Sequence, residues 1–279
     1  MNRLLKVFSL IVFTCAAQLF LGEITFAANG ETAIEPLRIS LGAKASAMGS
    51  TQYGAEGDSF AQFYNPSLLT SIERREIGFM HNQYLQSMNQ DVLGYVHPTL
   101  TKGVFAAGVH YFNYGSIQGY DSSGVPTSGL TAYDLLASLS WAKSWGKDAE
   151  GPRPQGPLST GLTFKFIQQK LNTRTASAVA ADLGLSYPFH AFMLRGLRLG
   201  AAIQNVGTDL KHRTQSSPLP RSIRVGGAYS LFSNVITLSV DGILEREKDF
   251  YSVAGVEYRF LKSFSVRAGY KGQSKIILA

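Results

Sequence analysis

Charge is scarce in this chain of 279 residues: Asp, Glu, Lys and Arg make up 16% of it, against roughly 25% in an average globular domain. Cysteine is nearly absent. Cys15 is the only one, and it lies in an N-terminal apolar stretch. Removal of that stretch leaves no disulfide framework and no thiolate chemistry. Beyond it no apolar run is long enough for a membrane-crossing helix, so a membrane location would require a closed barrel, since lipid leaves open backbone groups unsatisfied. Catalytic signatures are missing as well. There is no H-E-x-x-H, G-x-S-x-G, P-loop or G-x-G-x-x-G, and the five histidines (His81, His97, His110, His190 and His212) sit apart from one another. No catalytic residue, metal ligand or cofactor site is assigned, and no enzyme activity is expected.

What is present is Gly, at 28 residues, together with 13 Tyr and 17 Phe. That composition suits a β-rich wall. The chain opens with the basic residues Arg3 and Lys6, then "VFSLIVFTCAAQLFLG", then "TFAAN" with Thr25 and Ala27 at cleavage positions. The apolar run falls short of the ~20 residues of a spanning helix. Residues 1–28 therefore read as a secretory signal peptide. Thr14 before Cys15 fits a lipoprotein signal poorly.

Residues 29–75 differ from the rest: "LGAKASAMGSTQYGAEGDSFAQFYNPSLLTSIERRE" is rich in small residues, with one or two short helical turns expected. Asn65-Pro66 marks a turn, because proline lacks a backbone donor and biases its predecessor toward extended geometry.

From about Glu76 the period changes to two. Leu158, Leu162, Phe164 and Phe166 alternate with Ser159, Gly161, Thr163 and Lys165. Val179, Ala181, Leu183 and Leu185 alternate with Ala180, Asp182, Gly184 and Ser186. Such alternation over long segments predicts strands with two unlike faces. Eight clear segments and three earlier ones, near 77–85, 91–98 and 104–114, give about eleven strands, most near the ~9–11 residues a tilted spanning strand needs. Connections such as "GSIQGYDSSGVPTSG" and "NVGTDLKHRTQSSPLP" are long, whereas "LFSN" and "EREK" are short.

Periodicity does not say which face meets water. A soluble sandwich or lipocalin-like barrel would turn the apolar face inward. Three features favour a membrane barrel: a Gly/Ser-rich polar face without a dense Lys/Glu coat, aromatics near strand ends such as Phe112, Tyr114, Trp145, Tyr187 and Tyr258, and the export signal. Asp134, Lys165, Asp182, Arg198, Arg224, Asp241, Glu257, Arg259, Arg267 and Lys271 share the Gly/Ser parity. Facing lipid, each would cost up to ~2–4 kcal/mol, so they are expected to face the lumen and brace it. The net charge of +7 is scattered, with no basic stripe for nucleic acid. Attraction to anionic lipid headgroups or to polysaccharide is the expected use of that charge, and outer-membrane lipids are the expected partner.

The stretches "LGAKASAMG" and "FYNPSLL" resemble the N-terminal signature of the PorV/PorQ family, related to FadL-type outer-membrane transporters. Gly42, Ala43, Ala45, Ala47, Met48 and Gly49 match its first half; Tyr64, Asn65, Pro66 and Leu68 match its second, with Ser67 in place of Ala. The later Q-N-x-G turn in "AAIQNVG" and "VRAGYKG" are also similar. The resemblance implies an antiparallel transmembrane β-barrel in the outer membrane, with residues 29–75 as a plug and Asn65-Pro66 as the pivot into the first strand. Two roles follow from it: a plugged channel for hydrophobic small molecules, or a docking component for secreted protein cargo in type IX-like secretion. FadL-like barrels have fourteen strands, and residues 76–279 supply about eleven. The barrel is therefore expected to be incomplete at its C-terminal side.

Overall fold

The computed structural model describes residues 33–115, 117–146, 156–189, 195–212, 215–246, 248–261 and 264–272. The signal-peptide expectation, and the first residues of the segment after it, lie outside that range.

Among the described residues fifteen strands follow one another: β1 (Glu76–Gln83), β2 (Asn89–Pro98), β3 (Val104–Asn113), β4 (Ile117–Tyr120), β5 (Pro126–Leu130), β6 (Ala132–Trp145), β7 (Leu158–Leu171), β8 (Arg174–Pro188), β9 (Leu197–Gly207), β10 (Leu210–His212), β11 (Gln215–Ser217), β12 (Ser222–Leu231), β13 (Ile236–Glu245), β14 (Tyr251–Leu261) and β15 (Phe264–Lys271). Eleven of them form one sheet, in the order β1-β2-β3-β6-β7-β8-β9-β12-β13-β14-β15. Every neighbouring pair is antiparallel. The remaining four make two small hairpins, β4–β5 and β10–β11, inside connections that read as plain loops in the sequence. Among the described residues β1 and β15 are the sheet's edges.

We call the end where β1 begins the base and the opposite end the rim. Both hairpins lie at the rim. β6 ends and β7 begins at the base, whereas β13 ends and β14 begins at the rim, so the twelve-residue and five-residue separations do not sort completely by side.

Period two becomes an inverted burial pattern. Phe164, Leu183 and Leu139 are 61%, 58% and 67% exposed, while their neighbours Thr163 and Asp182 are fully buried. The apolar parity points away from the enclosed space and the polar parity into it. A water-soluble sandwich has the opposite arrangement. Tyr187, Tyr258 and Phe260 point outward near strand ends. Phe112 and Tyr114 do not belong with these outer aromatics. Phe112 is buried, and Tyr114 turns inward to Asp134.

The sheet is wrapped rather than flat, because all eleven strands touch the same short stretch of the N-terminal segment. At one edge Gly78 of β1 lies against Ser59, and at the other Gly269 of β15 lies against Gly49. Between them, Gly94 meets Ser59, Gly161 meets Pro66, Gly184 meets Asn65 and Gly200 meets Tyr53. Ser138 of β6 and Asp241 of β13 bond Gln62 and Gln52. Several of these glycines are cross-strand partners, as in Gly78–Gly94–Gly108, Gly161–Gly184 and Gly255–Gly269. They form a girdle of missing side chains. An added Cβ at any of these sites would run into the segment's backbone or side chains. The result is an antiparallel β-barrel wall moulded on an interior segment.

Candidate functional site

The enclosed lumen is where the unusual chemistry collects. Its occupant, residues 33–72, is built from short helical turns at Glu35–Arg38, Ala43–Ala47, Ala61–Phe63 and Pro66–Ser71. Small residues suit this path. Gly42 has φ +89°, and a side chain there would press on the Phe60 ring at 3.0 Å. Gly49 has φ +67° and packs on the backbone of Ala254 and Tyr270. Left-handed geometry of this kind favours glycine. Met48 between them is fully buried.

Tyr64 ties the segment to itself. The Leu41 N–H donates to its oxygen, and its hydroxyl donates to the Leu41 carbonyl. Its ring stands edge-on to Tyr53, with centroids 6.4 Å apart. Leu68 joins Leu69, Ile72, Val96, Val104 and Ala142 in a separate apolar cluster near the base. Asn65 caps the helix that starts at Pro66, its Oδ1 accepting the Ser67 N–H at 3.1 Å. Asn65-Pro66 thus begins a helix. The chain enters β1 only after Ile72, so the pivot into the first strand lies several residues later than the Asn-Pro signal suggests.

The charges on the polar parity do not converge into one ring. They form separate pairs at different heights. Lys165 meets Asp182 at 2.6 Å and Asn205 Oδ1 at 2.9 Å, and Asp182 also accepts the Asn205 N–H. Asp134 accepts the Tyr114 hydroxyl at 2.7 Å and the Gln169 amide at 2.9 Å. Asp241 accepts the backbone N–H groups of Gln52 and Tyr53, at 2.7 and 3.3 Å. Arg224 binds Glu245 at 2.8 Å, and Glu245 also faces Arg38, Lys248 and the Tyr251 hydroxyl. Near the base Glu257 faces Arg267 at 3.1 Å and Arg259 at 3.5 Å. Arg198 donates to the Ala55 carbonyl at 3.3 Å. Lys271 is exposed near the rim, 6.0 Å from the Tyr251 ring.

Within the segment, burial holds the Asp58 carboxyl above its ordinary range, opposed by the Phe60 N–H that it accepts and by the charge of Lys44. Among the described residues, no three His, Asp or Glu side chains gather as a metal site.

Toward the rim a small chamber of mixed lining lies between the segment and the wall. Leu37, Leu41, Phe63 and Tyr64 face Leu136, His110, Lys165 and Arg224 around a cavity of about 20 Å³. Ile167, Ala178, Leu210 and Leu219 extend the same apolar cluster. Residues 36–41 form its lining on the segment side. The space is nearly filled. A second cavity, of about 180 Å³, opens toward the base.

Several lumen contacts are not signalled by the sequence patterns. Gln62 and Gln204 bond the segment to the wall through Ala107 and Phe63 carbonyls, at 3.0 and 2.7 Å. The Q-N-x-G stretch is not a turn. Gln204 and Asn205 lie within β9, where the pairing with β8 shifts register and Asn205 takes φ +57°. This bulge aims both side chains inward. The recurring glycine on the polar parity of successive strands was the available signal for the girdle.

No protein-family model matches the chain, and no curated protein matches it by sequence. A solved structure of the TodX monoaromatic hydrocarbon channel, in a deltaS2 mutant form, is similar with a TM-score of 0.59 at 16% identity, covering 84% of this chain and 82% of that one. At that identity the likeness is one of fold, and the chain shares that structure's β-barrel architecture.

Proposed function

We propose that this protein is an outer-membrane channel for hydrophobic small molecules, with residues 29–75 as its plug. The observation that carries this reading is the inverted wall around an occupied lumen. Apolar side chains cover the outside, where hydrocarbon accepts them and water does not. Paired charges and amides line the inside. At the rim, Leu37 and Leu41 of the segment line a small chamber shared with polar side chains of the wall. The signal peptide at residues 1–28 supplies the export route, and lipids of the outer membrane are the surrounding partner. The fold likeness to a hydrocarbon channel supports the same reading.

The finer reading, a PorV/PorQ-type protein, rests on Gly42, Met48, Gly49, Tyr64, Asn65, Pro66 and Leu68. The two hairpins at the rim give it a surface on which secreted cargo could dock.

The test is uptake of labelled toluene into vesicles that carry the refolded protein. Faster entry than in empty vesicles supports the channel. Entry at the empty-vesicle rate, with cargo retained on the rim hairpins, would favour docking instead.

A further inference from the structure

The base cavity is larger than the rim chamber, and the N-terminal segment lies between the two. Its volume is about 180 Å³. A cavity of roughly 150 Å³ is enough for benzene. Part of its lining is apolar: Met48, Phe189 and Leu197. The remainder is strongly cationic, with Lys44, Arg195, Arg198 and Arg259 facing two carboxylates, Glu56 and Glu257.

Neither carboxylate forms an ion pair with Arg198, although Glu56 is near enough to act on its charge. Glu257 is engaged by Arg259 and by Arg267, which approaches from outside the lining. Glu56 accepts from the Asn234 amide at 3.5 Å. Among the described residues Arg198 has no carboxylate within ion-pair distance, and its hydrogen bond goes to the neutral Ala55 carbonyl. A partly enclosed guanidinium facing an open space calls for an anion, because its planar fork matches a carboxylate and the surrounding cations focus the field there.

We propose that this cavity binds a small organic monoanion: a single ring or a short branched chain that carries a carboxylate. The apolar body lies against Phe189 and Leu197. The carboxylate lies between Arg198 and Arg259. The site goes beyond the channel reading and does not depend on it, since binding can be measured without transport.

Benzoate is the probe, titrated by calorimetry into the detergent-solubilised, folded protein. The wild type should bind saturably. Arg198→Gln and Arg259→Gln should each weaken binding by roughly tenfold or more, whereas Lys143→Gln, on the outer wall beside Trp145, should not change it. Toluene should not compete. Arg259 stands at a half-exposed position, so its variant keeps the test valid if Arg198→Gln fails to fold. An absence of saturable binding, or equal binding by the wild type and Arg259→Gln, would overturn the proposal. Competition by inorganic phosphate as strong as by benzoate itself would overturn the organic-anion assignment.

Discussion

Asn65 donates its amide to the carbonyl of Leu185 in β8 at 3.1 Å, and so fastens the lumen segment to the wall. The same amide nitrogen reaches the Tyr53 carbonyl at 3.1 Å, while its oxygen caps the helix beginning at Pro66. One fully buried side chain thus holds two parts of the segment and one strand. Asn65→Ala removes a cap and strands two carbonyls, which should destabilise the fold by about 2–4 kcal/mol. The shift in urea midpoint, followed through Trp141 and Trp145 fluorescence, measures it. Asn65→Asp keeps the cap but loses both donations and buries a charge, so it should be no milder.

The glycine girdle leads to a second expectation. A side chain at Gly184 would strike Asn65 and Pro66 of the segment. Gly184→Val should therefore expel residues 33–72 while leaving the outward face of β8 unchanged. Limited trypsin digestion should cut at Arg38 and Lys44 at least about tenfold faster than in the wild type, since local opening governs cleavage. Gly129→Val is the control, because its nearest contact is 3.6 Å away. Equal cleavage of Gly184→Val and wild type would show that the segment is not moulded to the wall.

The Lys165–Asp182 pair is fully enclosed, with Asn205 completing it. Lys165→Met leaves an uncompensated buried carboxylate and should cost about 3–5 kcal/mol. Lys165→Met with Asp182→Leu should recover most of that loss. A double-mutant cycle on unfolding free energies reads the coupling directly.

The outward face separates lipid from water as the surrounding medium. Phe164 is 61% exposed. Phe164→Lys on a water-facing surface would be close to neutral. Facing hydrocarbon it should cost about 2–4 kcal/mol near the midplane. Folding yield into phospholipid vesicles, read by the gel shift between boiled and unboiled samples, gives the answer. An unchanged yield would point to water outside the wall.

Asp58 gives a pH dependence. Its carboxyl is held above the ordinary range by burial, so the folded state binds that proton more tightly than the unfolded chain. Its contribution to stability is present below the unfolded value and is lost as pH rises through the folded one. Asp58→Asn keeps an oxygen for the Phe60 N–H and removes the charge. Stability of this variant should vary less than that of the wild type as pH rises from 4 toward neutrality, in paired denaturation series.

The sequence by itself determined the strands and their two faces. Residues such as Phe164 and Thr163 alternate strictly, and a pleated strand must then send them to opposite sides. Short helical turns were legible in the small-residue segment, but Asn65-Pro66 read as a turn into the first strand, whereas it starts the helix Pro66–Ser71. The direction of those faces was not in the period. In the folded wall Phe164 is exposed and Lys165 is buried, and that direction depends on what the wall encloses, which periodicity does not carry. Likewise, Asp182 finds Lys165 through cross-strand neighbours, and Gln204 finds Phe63 across 141 positions of chain. Glycines 78, 94, 161, 184, 200 and 269 look like scattered strand breakers when read singly. Folding brings them together around one segment, and close backbone approach then explains why each position has no side chain.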